Sequence, residues 1–535
     1  FERRCSLMEK SPNLKEYFVL PNPGLLAYFK HTVEGNSEDY RPPFFKGKSR
    51  EEVLSSWEAR LLSMGAKSKF PSLYAYEEEM KGKVGPMSIQ LPLEDRKESI
   101  ENYFTDVNLK SEPIQESAIR QAVRFFYRAR GVRKRSRAKT LAEMKLTTNS
   151  GPPWFTKRRN VVDYVMESYL YFRNNEWWIH CPDGEFKLAA VLGWRGQEGG
   201  IDFDDVKQRV IWMMSILLNI EELQFYQPAI KRIQDTGLIP AYVSMDAVDK
   251  EVTLLFDSRK DPKQLVICTD FTKFDQHFNP DMQSAAKQIE QELFQDSGEW
   301  IRFIFPAKFE LPLICSEDLM YYGKHGMGSG SGGTNFDECM AHKALQFEAA
   351  LTDGHRLNEH SMAYGDDGIL TYPGITVDHV VDCYTRHGQE MNVDKQYASD
   401  HDCVVLRRWH GTEYRVNGIM VGVYSTFRAL GRLLAQERFY DPKVWNEKMV
   451  VLRALSIIEN CKWSPWFHEF IDFVITGDDF KLGLAIPGFF DDLEHLAKEA
   501  MNEFTDFLGY TKTLQDDNPA AGINSWEVVK YLKSK

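Results

Sequence analysis

The run Leu265, Val266, Ile267, Cys268, closed by Thr269 and Asp270, constrains the fold more than any other stretch. Four consecutive apolar residues without polar alternation read as a short strand buried on both faces. An aspartate at the end of such a strand lies at the rim of a core, where a charge is costly unless something compensates it. Further on, "SMAYGDDGILTY" (361–372) reads as two short strands around Asp366 and Asp367. Asp and Gly are what tight turns require, so taken alone this stretch is an ordinary hairpin. Taken with Asp270, it sets a condition: if the two strands are neighbours, three carboxylates converge.

Like charges that close cannot all stay ionised without a cation. Oxygen-only ligands suit magnesium or manganese, which bind through a few carboxylates plus substrate phosphates. The chemistry that needs this is phosphoryl transfer, with two ions about 3.5–4 Å apart on the attacking and leaving oxygens. Asp270 and Asp366 would bridge the ions, and Asp367 would be the auxiliary ligand.

The surroundings read as a compact α+β unit: strand, glycine-rich loop (326–333), helix from about 336 to 351, hairpin, and a helix near 376–390. After about 424 the pattern is mainly helical. In "STFRALGRLLAQ", Phe427, Leu430, Leu433 and Leu434 share one face behind a cap at Ser425 or Thr426. Residues 1 to about 110 mix Pro/Gly loops with helical stretches such as "REEVLSSWEARLLSMG" and hold no nameable site. At 535 residues the chain calls for two to four subdomains.

A formal net charge of −12 argues against a basic nucleic-acid coat, yet "RFFYRARGVRKRSRAK" (124–139) holds eight basic residues and no acid. Such a tract is either a solvated face or part of a basic channel in an acidic exterior. The longest apolar run, "VIWMMSILLNI" (210–220), is too short to cross a bilayer, and "FERRCSLMEK" at the start has no apolar signal core. Eight cysteines, Cys5 among them, are scattered without metal-binding spacing, which predicts a reduced, intracellular protein.

"DFTKFD" (270–275), "GSGSGGTNFDE" (328–338) and "YGDD" (364–367), in this order and spacing, resemble palm motifs A, B and C of viral RNA-dependent RNA polymerases. The wording around them is most similar to the polymerases of picobirnaviruses, then partitiviruses, from roughly residue 147 to 410. The resemblance implies an α+β right-hand fold of fingers, palm and thumb. Residues 1–110 would bridge fingers and thumb, 111–262 would be fingers, 263–424 palm with a fingers insertion at about 281–325, and 425–535 thumb.

It also implies roles. Asp270 binds metal, while Asp275 helps recognise the ribose 2′-hydroxyl. Ser329, Gly330 and Thr334 fit the family's S-G-x3-T, whose small residues admit template and nascent pair. Where many relatives have an asparagine four positions after the threonine, this chain has Glu338, which leaves Asn335, Asp337 and Glu338 open as partners of Asp275. Asn335 with Glu338 could instead form a helix capping box.

"TNSGPPWFTKRRN" (148–160) resembles the motif that admits the template, with Gly151, Pro152, Pro153, Lys157 and Arg159 against RNA. "KQRVIW" (207–212) resembles the fingers motif that grips the triphosphate: Arg209 first, then Lys207 and Arg158, since guanidinium forks suit phosphate. "GQEMNVDKQ" resembles motif D, making Lys395 the general acid for leaving pyrophosphate. "VVLRRWH" (404–410) resembles motif E, placing Arg407 and Arg408 on nascent-strand phosphates.

The implied cofactors are two Mg2+ or Mn2+ ions with ribonucleoside triphosphates as substrates. The implied partners are template and product RNA and a viral capsid protein, around a monomer without a membrane segment, in the virion interior and host cytoplasm. Initiation without a primer is expected.

Three other readings compete. Gly328, Gly330 and Gly333 spell GxGxxG, but that fingerprint should follow a buried strand, and "DLMYYGKHGM" is a poor one. A reverse transcriptase shares the paired aspartates, but usually carries a bulky side chain where this chain has Asp275. A non-catalytic RNA binder would not need the full carboxylate set.

Overall fold

The computed structural model describes residues 7–504 and 519–535. The apolar run and the hairpin form the middle of one four-stranded sheet. Val266–Thr269 is buried along its whole length. The hairpin Met362–Tyr364 and Asp367–Leu370 flanks it on one side and Tyr397–Ser399 on the other, with every pair antiparallel. A second sheet of five strands runs in the spatial order Met8–Lys10, Met320–Tyr322, Leu313–Ile314, Ala190–Gln197, Lys207–Met213. Its last two strands form a long hairpin that presents the "KQRVIW" stretch. A three-stranded sheet, Asp402–Val405, Arg408–Gly411 and Val423–Tyr424, follows the first.

The helix after the glycine-rich loop is Thr334–Thr352, slightly longer than its pattern suggested. It is buried nearly all round, and it packs against Glu116–Phe125 and Pro280–Leu293. Its N-cap is Gly333, which makes no side-chain cap bond, so the capping box of Asn335 and Glu338 does not form. The helix expected over 376–390 is shorter, Val377–Arg386. His387 caps its end and Gly388 at φ 84 turns the chain away, a conformation that costs glycine little.

Residues 44–84 share a hydrophobic core with 409–532. Trp57 Nε1 donates to Thr426 Oγ1 at 2.9 Å, and the Glu77 carboxylate accepts from Thr426 N at 3.0 Å. Ser425 therefore caps the helix Thr426–Leu433, while Thr426 faces the N-terminal segment. Upstream, Tyr17, Phe18, Leu25 and Phe29 pack on Val191 and Ile314 of the five-stranded sheet. Residues 17–84 thus tie that sheet to the C-terminal helices.

Residues 114–132 and 225–256 lie in the same core as Val266–Thr269. The boundary drawn at 262 from sequence is therefore not a break between cores, because these helices cover the central sheet. The seven described cysteines are all free and buried, and Cys5 lies outside the described residues. Among the described residues, no helix is long and apolar enough to cross a membrane.

Candidate active site

The sheet register brings the acids together. Gly368 pairs with Thr269, and Tyr364 with Asp367. One step further in the same register sets Asp270 opposite Asp367. Gly365, at φ 60, makes the tight turn that exposes Asp366 at the hairpin tip. His342, buried on the long helix, holds this turn through Nδ1 to Gly365 O at 2.8 Å. Burial pushes its imidazole down to about 4, so it is neutral. A side chain at Gly368 would meet that ring, since a Cβ there would lie 2.5 Å from His342 Cε1.

Each acid is positioned differently. Asp367 Oδ2 accepts from Leu406 N at 2.7 Å, across the turn that joins Asp402–Val405 to Arg408–Gly411. Asp270 is exposed, and Gln396 clamps its backbone: Asp270 N donates to Gln396 Oε1 at 2.7 Å and Gln396 Nε2 donates to Asp270 O at 2.9 Å. Lys395, exposed in the adjoining turn Val393–Lys395, falls opposite Asp270 when the register of Tyr397–Ser399 is extended. Asp275 follows in a turn whose carbonyl accepts from Met327 N at 2.9 Å, which draws the glycine-rich loop against it.

The electrostatics show too many carboxylates for the cations present. Burial, then Asp275 and Asp270, raises the Asp366 carboxyl, while Arg209 pulls it down. Burial and Asp366 push Asp367 up to about 7, against the pull of the Leu406 amide and Arg407. Glu338, 5% exposed, is raised well above the carboxylate range by burial and by the neighbouring Asp275. An all-oxygen cluster that suppresses its own ionisation fits a hard divalent cation, whose charge would replace the protons.

The choice left open among Asn335, Asp337 and Glu338 narrows. Asp337 is fully buried and paired with Lys308 Nζ at 2.7 Å, with Tyr226 Oη donating to it at 2.7 Å, so it faces away from Asp275. Asn335 accepts from Tyr242 Oη at 2.8 Å. Its amide and Glu338 Oε2 both border Gly365, where a Cβ would lie 3.2 and 3.4 Å from them.

The glycine-rich loop is clamped by backbone contact. A Cβ at Gly330 would lie 1.8 Å from Trp212 O, and one at Gly333 would lie 2.0 Å from Tyr226 Cζ. Ser329 Oγ accepts from Trp212 N at 3.2 Å, and Thr334 Oγ1 donates to Gly328 O at 3.1 Å. The buried Glu222 accepts from Ser331 Oγ and Gly332 N, and Asn219 donates to Gly330 O.

Arg158 donates to Asn219 Oδ1 at 2.8 Å, which links the stretch 148–160 to this loop. Gly151, Pro152 and Pro153 are buried, and a Cβ at Gly151 would lie 2.2 Å from Met214 O. Lys157 and Arg159 are exposed beside them. Lys207 is exposed on the long hairpin. Its pKa is lowered by the protein packed close to its ammonium group, which displaces water, and by Lys83 and Arg428, and Arg407 belongs to the same basic group.

One expected residue is misplaced. Arg408 is 7% exposed, and its guanidinium makes a two-pronged pair with Asp249 at 2.7 and 3.0 Å and donates to Gly422 O. It begins a fully buried strand and holds Asp249, not phosphate. Sequence reasoning missed Gln396, His342, Asn219, Glu222 and the Leu406 amide. Of these, Gln396 stood in "GQEMNVDKQ", Leu406 in "VVLRRWH" and Asn219 in "VIWMMSILLNI", each singled out for another reason; His342 and Glu222 stood in no quoted motif.

A model of the family described as viral RNA-dependent RNA polymerase matches residues 194–398. The chain is 49% identical, over 99% of its length and all of the relative's, to a potential RNA-dependent RNA polymerase of Human picobirnavirus (strain Human/Thailand/Hy005102/-). The crystal structure of the RNA-dependent RNA polymerase of a human picobirnavirus superposes with a TM-score of 0.91 at 49% identity, covering 99% of this chain and 100% of that one. A Sicinivirus RNA-dependent RNA polymerase, at 14% identity, a TM-score of 0.52 and 75% of this chain against 89% of that one, shares the fold. Identity of that degree over whole chains, with the family's motifs gathered at one sheet end, means that this chain belongs to the viral RNA-dependent RNA polymerases, nucleotidyltransferases of the picobirnavirus kind.

Proposed function

We propose that the chain transcribes and replicates a viral double-stranded RNA genome by two-metal nucleotidyl transfer, starting without a primer. The observation that carries this reading is the meeting of Asp270, Asp366 and Asp367 at one sheet end, with two of the three carboxyls raised. These residues would hold two Mg2+ or Mn2+ ions, which when bound supply charge to the attacking and leaving oxygens.

The chain's own groups do the rest. Arg209 and Lys207 hold the triphosphate, and Asp275 with Glu338 orients the ribose. The 3′-hydroxyl of the growing strand attacks the α-phosphorus. A P–O bond forms there as the hydroxyl gives up its proton to solvent, the bond to the β-phosphate oxygen breaks, and pyrophosphate leaves with a proton from Lys395, which solvent then restores. Arg158 supports the loop of Ser329, Gly330 and Thr334 through Asn219. Gly151, Pro152, Pro153, Lys157 and Arg159 guide template, and Arg407 holds the nascent strand.

In this reading residues 1–110 bridge fingers (111–262) and thumb (425–535) across the palm (263–424). The enzyme works as a monomer with a capsid protein as partner, in the virion interior and host cytoplasm. The glycines of GxGxxG are occupied in close packing against Trp212 and Tyr226, which leaves no role for a dinucleotide. The test is synthesis on single-stranded RNA with four ribonucleotides, Mg2+ or Mn2+ and no primer, beside Asp366→Asn. Full-length product from the wild type alone supports the reading; product only with an annealed primer removes primer independence.

A further inference from the structure

Ten residues along the helix Thr334–Thr352 from Glu338, about 15 Å away, three ligand-type side chains meet outside the site described above. Glu348, Cys383 and His387 are 1%, 0% and 2% exposed, and one donor atom from each lies within 4.8 Å of the others. Cys383 Sγ and Glu348 Oε2 are 3.5 Å apart, and His387 Nε2 contacts the same Oε2.

Backbone groups hold two of the three from behind. His387 Nδ1 lies 2.6 Å from Glu112 O, which fixes the proton on Nδ1 and turns Nε2 inward. Gln115 N donates to Glu348 Oε1 at 3.1 Å, which leaves Oε2 facing in. Metal-bound imidazoles and carboxylates are oriented in this way, by a hydrogen bond on the atom that does not bind. Metal–sulfur and metal–oxygen bonds of about 2.3 and 2.0 Å at a tetrahedral angle give an S···O edge of about 3.5 Å, the separation of Cys383 Sγ and Glu348 Oε2, while His387 Nε2 bonds directly to Oε2 and would have to draw back for an ion to enter between them.

We propose that Glu348, Cys383 and His387 form a structural zinc site, with the fourth position taken by a water, that fastens the segment 112–115 to the helices Thr334–Thr352 and Val377–Arg386. The charges balance. Without metal, an imidazolium, a carboxylate and a thiol sum to zero. With Zn2+ bound, Nε2 and Sγ each lose a proton, and a neutral imidazole, a carboxylate, a thiolate and the ion again sum to zero. One ion replaces two protons and adds no net charge to the core, so the usual obstacle to a buried ion is absent.

Glu112 N also donates to Arg386 O at 2.9 Å, so the clip would lie where the two segments already meet.

The test is metal content and thermal melting of the full chain with Zn2+, in excess Mg2+ so that the oxygen-only centre is saturated. About one zinc per chain in the wild type, lost in Cys383→Ser and in His387→Gln together with any zinc-dependent rise in melting temperature, supports the site. Co2+ in place of zinc should give a thiolate-to-cobalt absorption band that Cys383→Ser lacks. If Cys383→Ser does not fold, His387→Gln and the cobalt spectrum of the wild type decide. Zinc content and melting that are the same in wild type and variants, or no zinc retained at all, overturn it and leave a buried imidazolium–carboxylate pair.

Discussion

Asp337 and Glu338 are neighbours on one helix and have opposite fates. Asp337 turns into the core, where Lys308 and Tyr226 meet both of its oxygens and none of the three is accessible. Glu338 turns toward Asp275 and the hairpin tip, where no cation is in contact and its charge is suppressed. The first acid is neutralised by the protein itself; the second belongs to a cluster that only a proton or a ligand can neutralise. Burial alone therefore does not mark a functional acid, and what separates the two is whether the chain supplies the counter-charge. The Arg408–Asp249 pair falls with Asp337, and Asp270, Asp366 and Asp367 fall with Glu338.

Four measurements would break or sharpen this division. Asp366→Asn should lower synthesis by about 10³-fold or more, roughly 4 kcal/mol of transition-state stabilisation, while the melting temperature stays level or rises. A soluble variant with normal activity would sink the site. Lys308→Met should do the reverse, costing about 3–5 kcal/mol of stability, because Asp337 loses its partner inside the core. Unchanged melting there would mean that the Lys308–Asp337 contact does not stabilise the fold.

The third concerns pH. The folded state raises the Asp367 carboxyl, chiefly by burial and also through Asp366, from its ordinary 3.8 to about 7. The folded protein thus holds this proton more tightly than the unfolded chain. The associated stability is full below about pH 4 and is lost, up to about 4 kcal/mol, as pH rises through 7. In chelator, melting should fall across that window, and less so in Asp367→Asn; added Mg2+ should restore more at pH 8 than at pH 5. A magnesium effect independent of pH would contradict this.

The smallest effect is expected at Glu338. Glu338→Gln should keep the preference for ribo- over deoxyribonucleotides within about threefold, because the amide can donate where the neutral acid does. Glu338→Leu should lower it about tenfold, one hydrogen bond's worth. A Leu variant with full preference would move the role to Asn335.

The central sheet was legible because Val266 to Cys268 could be little else than a buried strand, although Leu265, read into the same run, lies exposed just before it, and because Asp366 and Asp367 gain meaning only beside its end. The glycine-rich loop was legible as a unit, but not its reasons: nothing near Gly330 names Trp212, which lies far away in sequence. Arg408 misled because Arg407 and Arg408 are identical as residues. They are separated by the turn, where Leu406 and Arg407 both take positive φ before the buried strand starts at Arg408. The boundary at 262 does not separate two cores, because the helices of 225–256 pack on the central sheet. Pairings such as Asn219 with Gly330 and Glu222 with Gly332 carry no periodic or motif signal, since they depend on two segments meeting in space.

The junction of Trp57 and Glu77 with Thr426 also has a meaning in time. The two sides of the Trp57–Thr426 bond are 369 residues apart in the chain. At the roughly 5–20 residues per second of protein synthesis, the N-terminal helices wait about 20 to 70 s before the segment that covers them has been made. Until then Trp57, Leu61 and Leu73 have no partner from the C-terminal half, and the central sheet, whose strands span a shorter stretch, is complete first. The last part of the molecule to close is therefore the one built on residues 44–84, made among the earliest.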